Sequence, residues 1–295
     1  MPNVVLTSAV RANLLQLQRN DRDQGVVQNR LATGLRVSSA LDDPRNFFQA
    51  QNFNNRGNDL ARLQDRMGLA INTIQAADKG IKAMTKVAES MIGLARQARD
   101  ESDGAAVNRL GEQFNELRTQ LQSIAKDSGF NGVNLLGGDE LEVTFGTETA
   151  DASALTVNKQ PPGDDATNID YTGDDFSISI TDGTGDDIAW TSEDGDDVTV
   201  SAEDIDASIT ELQGFINGLR TDAATLGTNL TLIQVRQDFT KDMINTLKAG
   251  ADSLTLADEN EEAANLLALQ TRQQLSQQAL ALATQSQQSI LRLLG

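Results

Sequence analysis

The chain has 295 residues, with 24 Lys plus Arg against 43 Asp plus Glu and a formal net charge of -19, which argues against nucleic acid as a main partner because phosphates need a basic surface. It has no Cys and no His, which removes thiol nucleophiles, Ser-His and Cys-His pairs, nearly all zinc sites and any disulfide framework. The acid is uneven: residues 101 to 210 hold 25 acidic and 4 basic groups while both flanks are close to neutral, the pattern of at least two structural units, one built from both termini.

Only 4% of the chain is aromatic, so its interior must be built of Leu, Ile, Val and Ala, as in helix bundles. Met1 to Thr7 shows no basic segment followed by an apolar core, so export, if it occurs, is expected by a route that reads no cleavable signal. No apolar stretch approaches the roughly 20 residues that span a bilayer, and membrane insertion is not expected.

A first helix is expected from about residue 5 to 33, with Val10, Leu14, Leu17, Leu31 and Leu35 at three-and-four spacing and Asp21, Gln24 and Gln28 interrupting the stripe. Gly34 suits the left-handed residue that stops a helix. Asp43-Pro44 is a restart signal, a carboxylate at the N-cap and proline at the first helical position. The restarted helix runs to about Asp100 on a sustained stripe from Leu60 to Ala95, too long a periodic run for an ordinary globule and suited to a coiled coil or bundle.

A third helix covers about Ala105 to Asp127. Asn131-Gly132 and Gly137-Gly138 then signal turns, and Leu141, Val143 and Phe145 alternate as a strand should. Short alternating runs at 176–180, 188–190 and 198–200, separated by Asp-Gly clusters, read as a small acidic β-rich insert. Helices return over about 205–226, 230–247 and 260–294. The last carries Leu266, Leu269, Gln273, Ser276, Leu280, Ala283, Gln287, Ile290 and Leu294 on a narrow stripe that gains little from burial alone, so both ends are expected to order against partners. The fold class is therefore mainly α: an elongated, coiled-coil-like helical bundle built from both termini, with a β-hairpin and a small β-rich central insert.

The Asp-Gly runs at 181–187 and 192–197 lack the alternating ligand spacing and distal Glu of a calcium loop, so solvated hairpin turns are the plainer reading. Asp174 and Asp175 have no evident apolar pocket and no partner to split their pKa values. No catalytic residue, metal ligand or cofactor is assigned, and the chain is not expected to be an enzyme.

Three motifs in order resemble bacterial flagellins. Residues Arg30-Leu-Ala-Thr-Gly34-Leu35-Arg36-Val-Ser-Ser-Ala-Leu-Asp42-Asp43 follow the flagellin pattern R-L-S-S-G-L-R-I-N-S-A-x-D-D, Phe130-Asn131-Gly132-Val133-Asn134-Leu135-Leu136 follows F-N-G-x-x-L-L, and Leu291-Arg-Leu-Leu294 closes a Gln-rich final helix. The resemblance covers roughly residues 1–145 and 205–295 and skips the acidic middle. It implies a filament subunit whose N-terminal inner helix (1–42) and C-terminal inner helix (256–295) form the innermost layer. A helical shell with a hairpin (43–150) and a C-terminal shell (205–255) would form the next layer, with the acidic insert (151–204) facing solvent.

Under that resemblance Val10, Leu14, Leu17, Leu31, Leu35, Leu266, Leu269, Leu280, Ile290 and Leu294 are expected at the assembly interface. The partners it implies are further copies of the chain or sister flagellins, the flagellar type III export apparatus, a cytoplasmic chaperone on the C-terminal helix, and the filament cap and hook-filament junction proteins. The destination it implies is the extracellular filament.

One departure stands out. Flagellins recognised by the animal flagellin receptor carry Q-R-x-R-E-L-A on the long helix and a Glu on the next. Here Ser90 and Ile92 replace the two arginines and Gln120 the Glu, as in flagellins of the alpha class of proteobacteria. Two guanidinium forks and a carboxylate are lost, and weak receptor activation is expected. Two rivals share part of the pattern: a hook-filament junction protein, and a secreted acidic adhesin or calcium-binding module on a helical stalk.

Overall fold

The computed structural model describes residues 8–146, 154–158, 171 and 202–294. Among them are five helices and one two-stranded sheet: α1 (Ser8–Thr33), α2 (Pro44–Asp100), α3 (Gly104–Asp127), β1 (Leu141–Thr144), β2 (Ala154–Val157), α4 (Ala202–Thr255) and α5 (Glu259–Leu294). The chain is mainly helical, as its composition requires. The runs at 176–180, 188–190 and 198–200, both Asp-Gly clusters, and Asp174 and Asp175 lie outside the described residues.

Two compact units divide the chain, one formed by Met1–Asn58 with Ile244–Gly295, the other by Asp59–Met243. The second is cored by a stripe on α2 in which Leu63, Met67, Ala70, Ile74, Ala77, Ile81, Met84, Ala88, Met91, Ala95 and Ala98 are all buried. Their steps of four and three keep one face of the helix inward for its whole length. Facing them are Phe114 and Leu121 of α3 and Leu212, Leu219 and Leu226 of α4, each fully buried. Gly80 sits where the layers close. A Cβ added there would lie 2.7 Å from Ser128 Cβ and 2.8 Å from Leu136 Cδ1, so only glycine allows this approach.

Asp103 caps α3, its side chain accepting from the Ala105 N–H. After α3 the chain turns at Phe130 to Val133, whose amides and carbonyls bond reciprocally at 2.9 and 3.1 Å. Asn131 and Gly132 both have positive φ, 51° and 81°, the conformation for which Asn-Gly is favoured. Asn134 then clamps the turn. Its side-chain amide donates to the Ala125 and Lys126 carbonyls at 2.8 and 3.1 Å, satisfying the end of α3, and its Oδ1 accepts from the Leu136 amide at 3.0 Å. This lodges Leu135 and Leu136 in the core. Strands β1 and β2 pair antiparallel, Leu141 opposite Val157 and Thr144 opposite Ala154.

The helix expected to break between 226 and 230 does not. Helix α4 is continuous from Ala202 to Thr255. Gly227 costs about 1 kcal/mol against alanine in a helix interior, but Leu226 and Ile233 flank it on the buried side, and their burial exceeds that cost.

Candidate assembly site

In the unit made of both termini, α1 and α5 pack against each other as an antiparallel pair. Their register is marked by two polar contacts. Arg30 Nη1 donates to Glu262 Oε1 at 2.8 Å, and Gln273 Nε2 donates to Asp21 Oδ1 at 2.8 Å. The Glu262 side chain is 8% exposed, and its second oxygen has no hydrogen-bond partner.

The first motif forms the clasp that closes this pair. Gly34 has φ +68°, a left-handed stop that lets the chain reverse direction after Thr33. Leu35 then bridges Leu256. The Arg36 and Val37 amides donate to the Thr255 carbonyl at 2.7 and 3.2 Å, the Ala257 amide donates to the Gly34 carbonyl at 3.0 Å, and the Arg36 guanidinium donates to the Leu254 carbonyl at 3.2 Å. The stop of α1 is thereby joined to the α4–α5 junction by main-chain bonds.

Asp42 organises the loop that follows. Its Oδ2 accepts from the Ser38 and Ser39 amides at 3.0 and 2.9 Å and from both hydroxyls at 3.0 and 3.2 Å. The Ser38 hydroxyl, then the two amides, hold its carboxyl below the ordinary carboxylate value, since each donor favours the charged form. Asp43 caps α2, its Oδ1 accepting from the Asn46 amide at 3.1 Å with Pro44 at the first helical position. Asp258 caps α5 by accepting from the Asn260 and Glu261 amides at 2.9 and 3.3 Å. Glu259, Glu261 and Glu262 lie in the first turn, where the helix dipole favours negative charge.

The stripe on α1 differs from expectation in three of its steps. Val10, Leu17, Gln24 and Leu31 face inward, but Asn13, Asn20 and Val27 take the places expected for Leu14, Asp21 and Gln28. Leu14 is 42% exposed. On α5, Leu266, Leu269, Gln273, Ser276, Leu280 and Ala283 are half-buried in steps of three and four, and Leu35 is half-buried at the clasp. The side chains of Ile290 and Leu294 lie outside the described residues.

Of the residues expected at the assembly interface, Val10, Leu17, Leu31, Leu266, Leu269 and Leu280 are thus buried or half-buried where α1 and α5 pair within one chain. What remains outward is Leu14 from the expected set, with Leu15 and Val26 on α1 and Leu267, Leu275 and Leu282 on α5, all exposed. Elsewhere, Ser90 is exposed and donates to the Lys86 carbonyl, Ile92 is buried in the α2 stripe, and Gln120 is exposed on α3. Among the described residues no group of His, Asp or Glu could hold a metal ion, and no helix is long and apolar enough to cross a membrane.

Comparison with known proteins gives the same motifs a family context. The family model for the bacterial flagellin N-terminal helical region matches residues 5–140, and that for the bacterial flagellin C-terminal helical region matches residues 209–294. Over 281 residues the chain is 30% identical to flagellin FljN of Caulobacter vibrioides, covering 95% of this chain and 94% of that one. It is 29% identical to flagellin FljK of the same organism, covering 99% and 98%, and 25% identical to flagellin C of Rhizobium meliloti, covering 99% of both.

Proposed function

This chain belongs to the bacterial flagellin family and is a structural subunit of a flagellar filament, and from that premise we propose that its terminal helix pair is the element that joins subunits. The observation that carries this is the outward set on α1 and α5. With the α1–α5 seam closed inside the chain, Leu14, Leu15, Val26, Leu267, Leu275 and Leu282 still face outward. Rows of exposed aliphatic residues on a paired helix call for a partner surface. In a filament the available partner is another copy of the same pair, and each large aliphatic side chain fully covered contributes roughly 1.5 to 3 kcal/mol.

The polar residues between them suit an inner layer: Gln and Ser around a central channel offer neither a sticky wall nor a strong fixed charge. The acidic residues of 101–210 suit a solvent-facing role, in which net negative charge keeps neighbouring surfaces soluble and apart.

The same reading extends to the route and the partners. Export through the flagellar type III apparatus would deliver the chain unfolded, and a chaperone on α5 would cover Leu267, Leu275 and Leu282 until then. Cap and junction proteins would meet the two ends of the polymer. Ser90, Ile92 and Gln120 supply no guanidinium or carboxylate at their positions, which supports weak activation of the animal flagellin receptor.

The direct test is seeded growth of filaments from purified monomer carrying Leu275→Asp or Leu282→Asp. Each substitution is expected to stop elongation while leaving the helix content of the monomer unchanged by circular dichroism. Elongation at the unsubstituted rate would rule out the terminal pair as the joining element.

A further inference from the structure

Two Asn-Gly pairs lie among the described residues, Asn131-Gly132 in the turn after α3 and Asn217-Gly218 in α4. All four residues are exposed, so solvent reaches both pairs alike. What differs is the backbone. In α4 the Gly218 amide belongs to the helical ladder, bonded to the carbonyl four residues before it. The Asn217 side chain accepts from Arg220 Nη1 at 3.3 Å, and the Thr221 hydroxyl donates to the Asn217 carbonyl at 3.1 Å.

The turn holds its pair differently. Phe130 and Val133 make the two reciprocal main-chain bonds, and the Gly132 amide between them donates to no acceptor among the described residues. The Asn131 side chain makes no hydrogen bond among them either. It borders a hollow of about 170 Å³ shared with Arg66, Thr73 and Glu142, which leaves it room to turn. Asparagine is thermally labile, and the main-chain nitrogen that follows it is the internal nucleophile. Glycine in that place has no Cβ to block the approach.

We propose that Asn131 is a site of spontaneous deamidation, and that its conversion slackens the turn that lodges Leu135 and Leu136 in the core. The Gly132 nitrogen attacks the side-chain carbonyl carbon of Asn131. A new nitrogen–carbon bond forms, the side-chain nitrogen leaves as ammonia with the proton that Gly132 gave up, and a succinimide ring remains. Water opens the ring at one carbonyl to give aspartate, or at the other to give isoaspartate. Either product adds a carboxylate to the turn, three residues before Asn134, whose own amide is held by Asp139 Oδ2 at 2.7 Å. Isoaspartate also lengthens the main chain by one carbon between Phe130 and Val133, whose reciprocal bonds fix the spacing of the turn. The Asn134 clamp on the Ala125 and Lys126 carbonyls depends on that spacing. The turn thereby records the age of the folded subunit, whichever surface joins subunits to one another.

Ageing the purified monomer in heavy-oxygen water at mildly alkaline pH tests this, with peptide mass spectrometry reading the label at both pairs. Asn131 is expected to take up label and yield isoaspartate faster than Asn217 by about tenfold or more, because the helix must open before Gly218 can attack. In urea the two rates should converge. The converted fraction, separated by ion exchange on its added charge, is expected to unfold at a lower urea concentration than fresh protein. Labelling of the folded monomer at Asn131 no faster than at Asn217 would overturn the assignment. A converted fraction that unfolds together with fresh protein would overturn the coupling to the Asn134 clamp.

Discussion

Arg30 and Glu262, 232 positions apart in sequence, form an ion pair at 2.8 Å inside the α1–α5 pair. Burying two charges costs desolvation that their attraction only partly repays, so the pair adds little net stability. Its larger effect is on register. Any slip of α5 along α1 leaves the buried carboxylate without a counter-ion, and that arrangement is costly.

Arg30→Met should therefore lower the temperature at which filaments dissociate, since Glu262 would stay buried and unpaired. The loss expected is toward the lower end of about 3–5 kcal/mol, because Arg30 is itself partly exposed. Combining Arg30→Met with Glu262→Leu should recover most of it. The check is dissociation by calorimetry of the three variants beside the unsubstituted filament.

Two glycines of α2 should respond in opposite ways to alanine. At Gly80 the new Cβ meets Ser128 and Leu136 at under 3 Å, and overpacking of this kind costs about 1–3 kcal/mol. At Gly93 nothing lies within 4 Å, so alanine should stabilise the helix by about 0.5–1 kcal/mol through its propensity. Urea unfolding of the monomer distinguishes the two. Equal effects at both positions would contradict the packing described for Gly80.

Tyr171 hydrogen-bonds the Asp222 carboxylate and packs edge-on against Phe215 at 5.5 Å between ring centroids. Its amide also donates to the Leu136 carbonyl at 2.7 Å. Burial pushes the Asp222 carboxyl above its ordinary value of 3.8, and the Tyr171 hydroxyl draws it back down. Tyr171→Phe removes the opposing influence, so carboxyl NMR should find Asp222 titrating higher still. The sign for stability follows. A carboxyl whose folded value is raised favours the folded state increasingly as pH falls through that value, and Tyr171→Phe should enlarge that gain. A downward shift would contradict the hydrogen bond.

Charge placed in the α1–α5 seam should abolish assembly, whereas removing acidic residues of the central segment should not. Leu31→Asp and Leu280→Asp each put a carboxylate at a half-buried seam position, where an uncompensated charge is costly. Deletion of residues 165–195 should leave polymerisation intact. Electron microscopy of seeded reactions reads all three.

Much of the local structure was legible because its signals are stereochemical. Gly34 as a left-handed stop, Asp43-Pro44 as a start and Asn131-Gly132 as a tight turn each depend on a backbone conformation that few residues adopt. The long α2 stripe was legible because every position on it from Leu63 to Ala98 is apolar. On α1 the two candidate stripes share Val10, Leu17, Gln24 and Leu31. Hydrophobicity favours Leu14 at the disputed position, whereas the structure turns Asn13, Asn20 and Val27 inward. Such a choice is made by the partner helix, and α5 is more than two hundred residues away. The same distance hides the Arg30–Glu262 contact. The break expected at Gly227 failed for a related reason, since burial on either side outweighs a local propensity. Asn134 stands in the second motif, but its role as a clamp on α3 follows only from where the turn places it.

Cryo-electron microscopy of filaments sedimented from cells tests the account most directly. In the predicted result, α1 and α5 of one subunit pair with each other through Arg30 and Glu262, and Leu267, Leu275 and Leu282 are covered by neighbouring subunits. Filaments in which those leucines line the open channel, or in which α1 pairs with α5 of a different subunit, would contradict it.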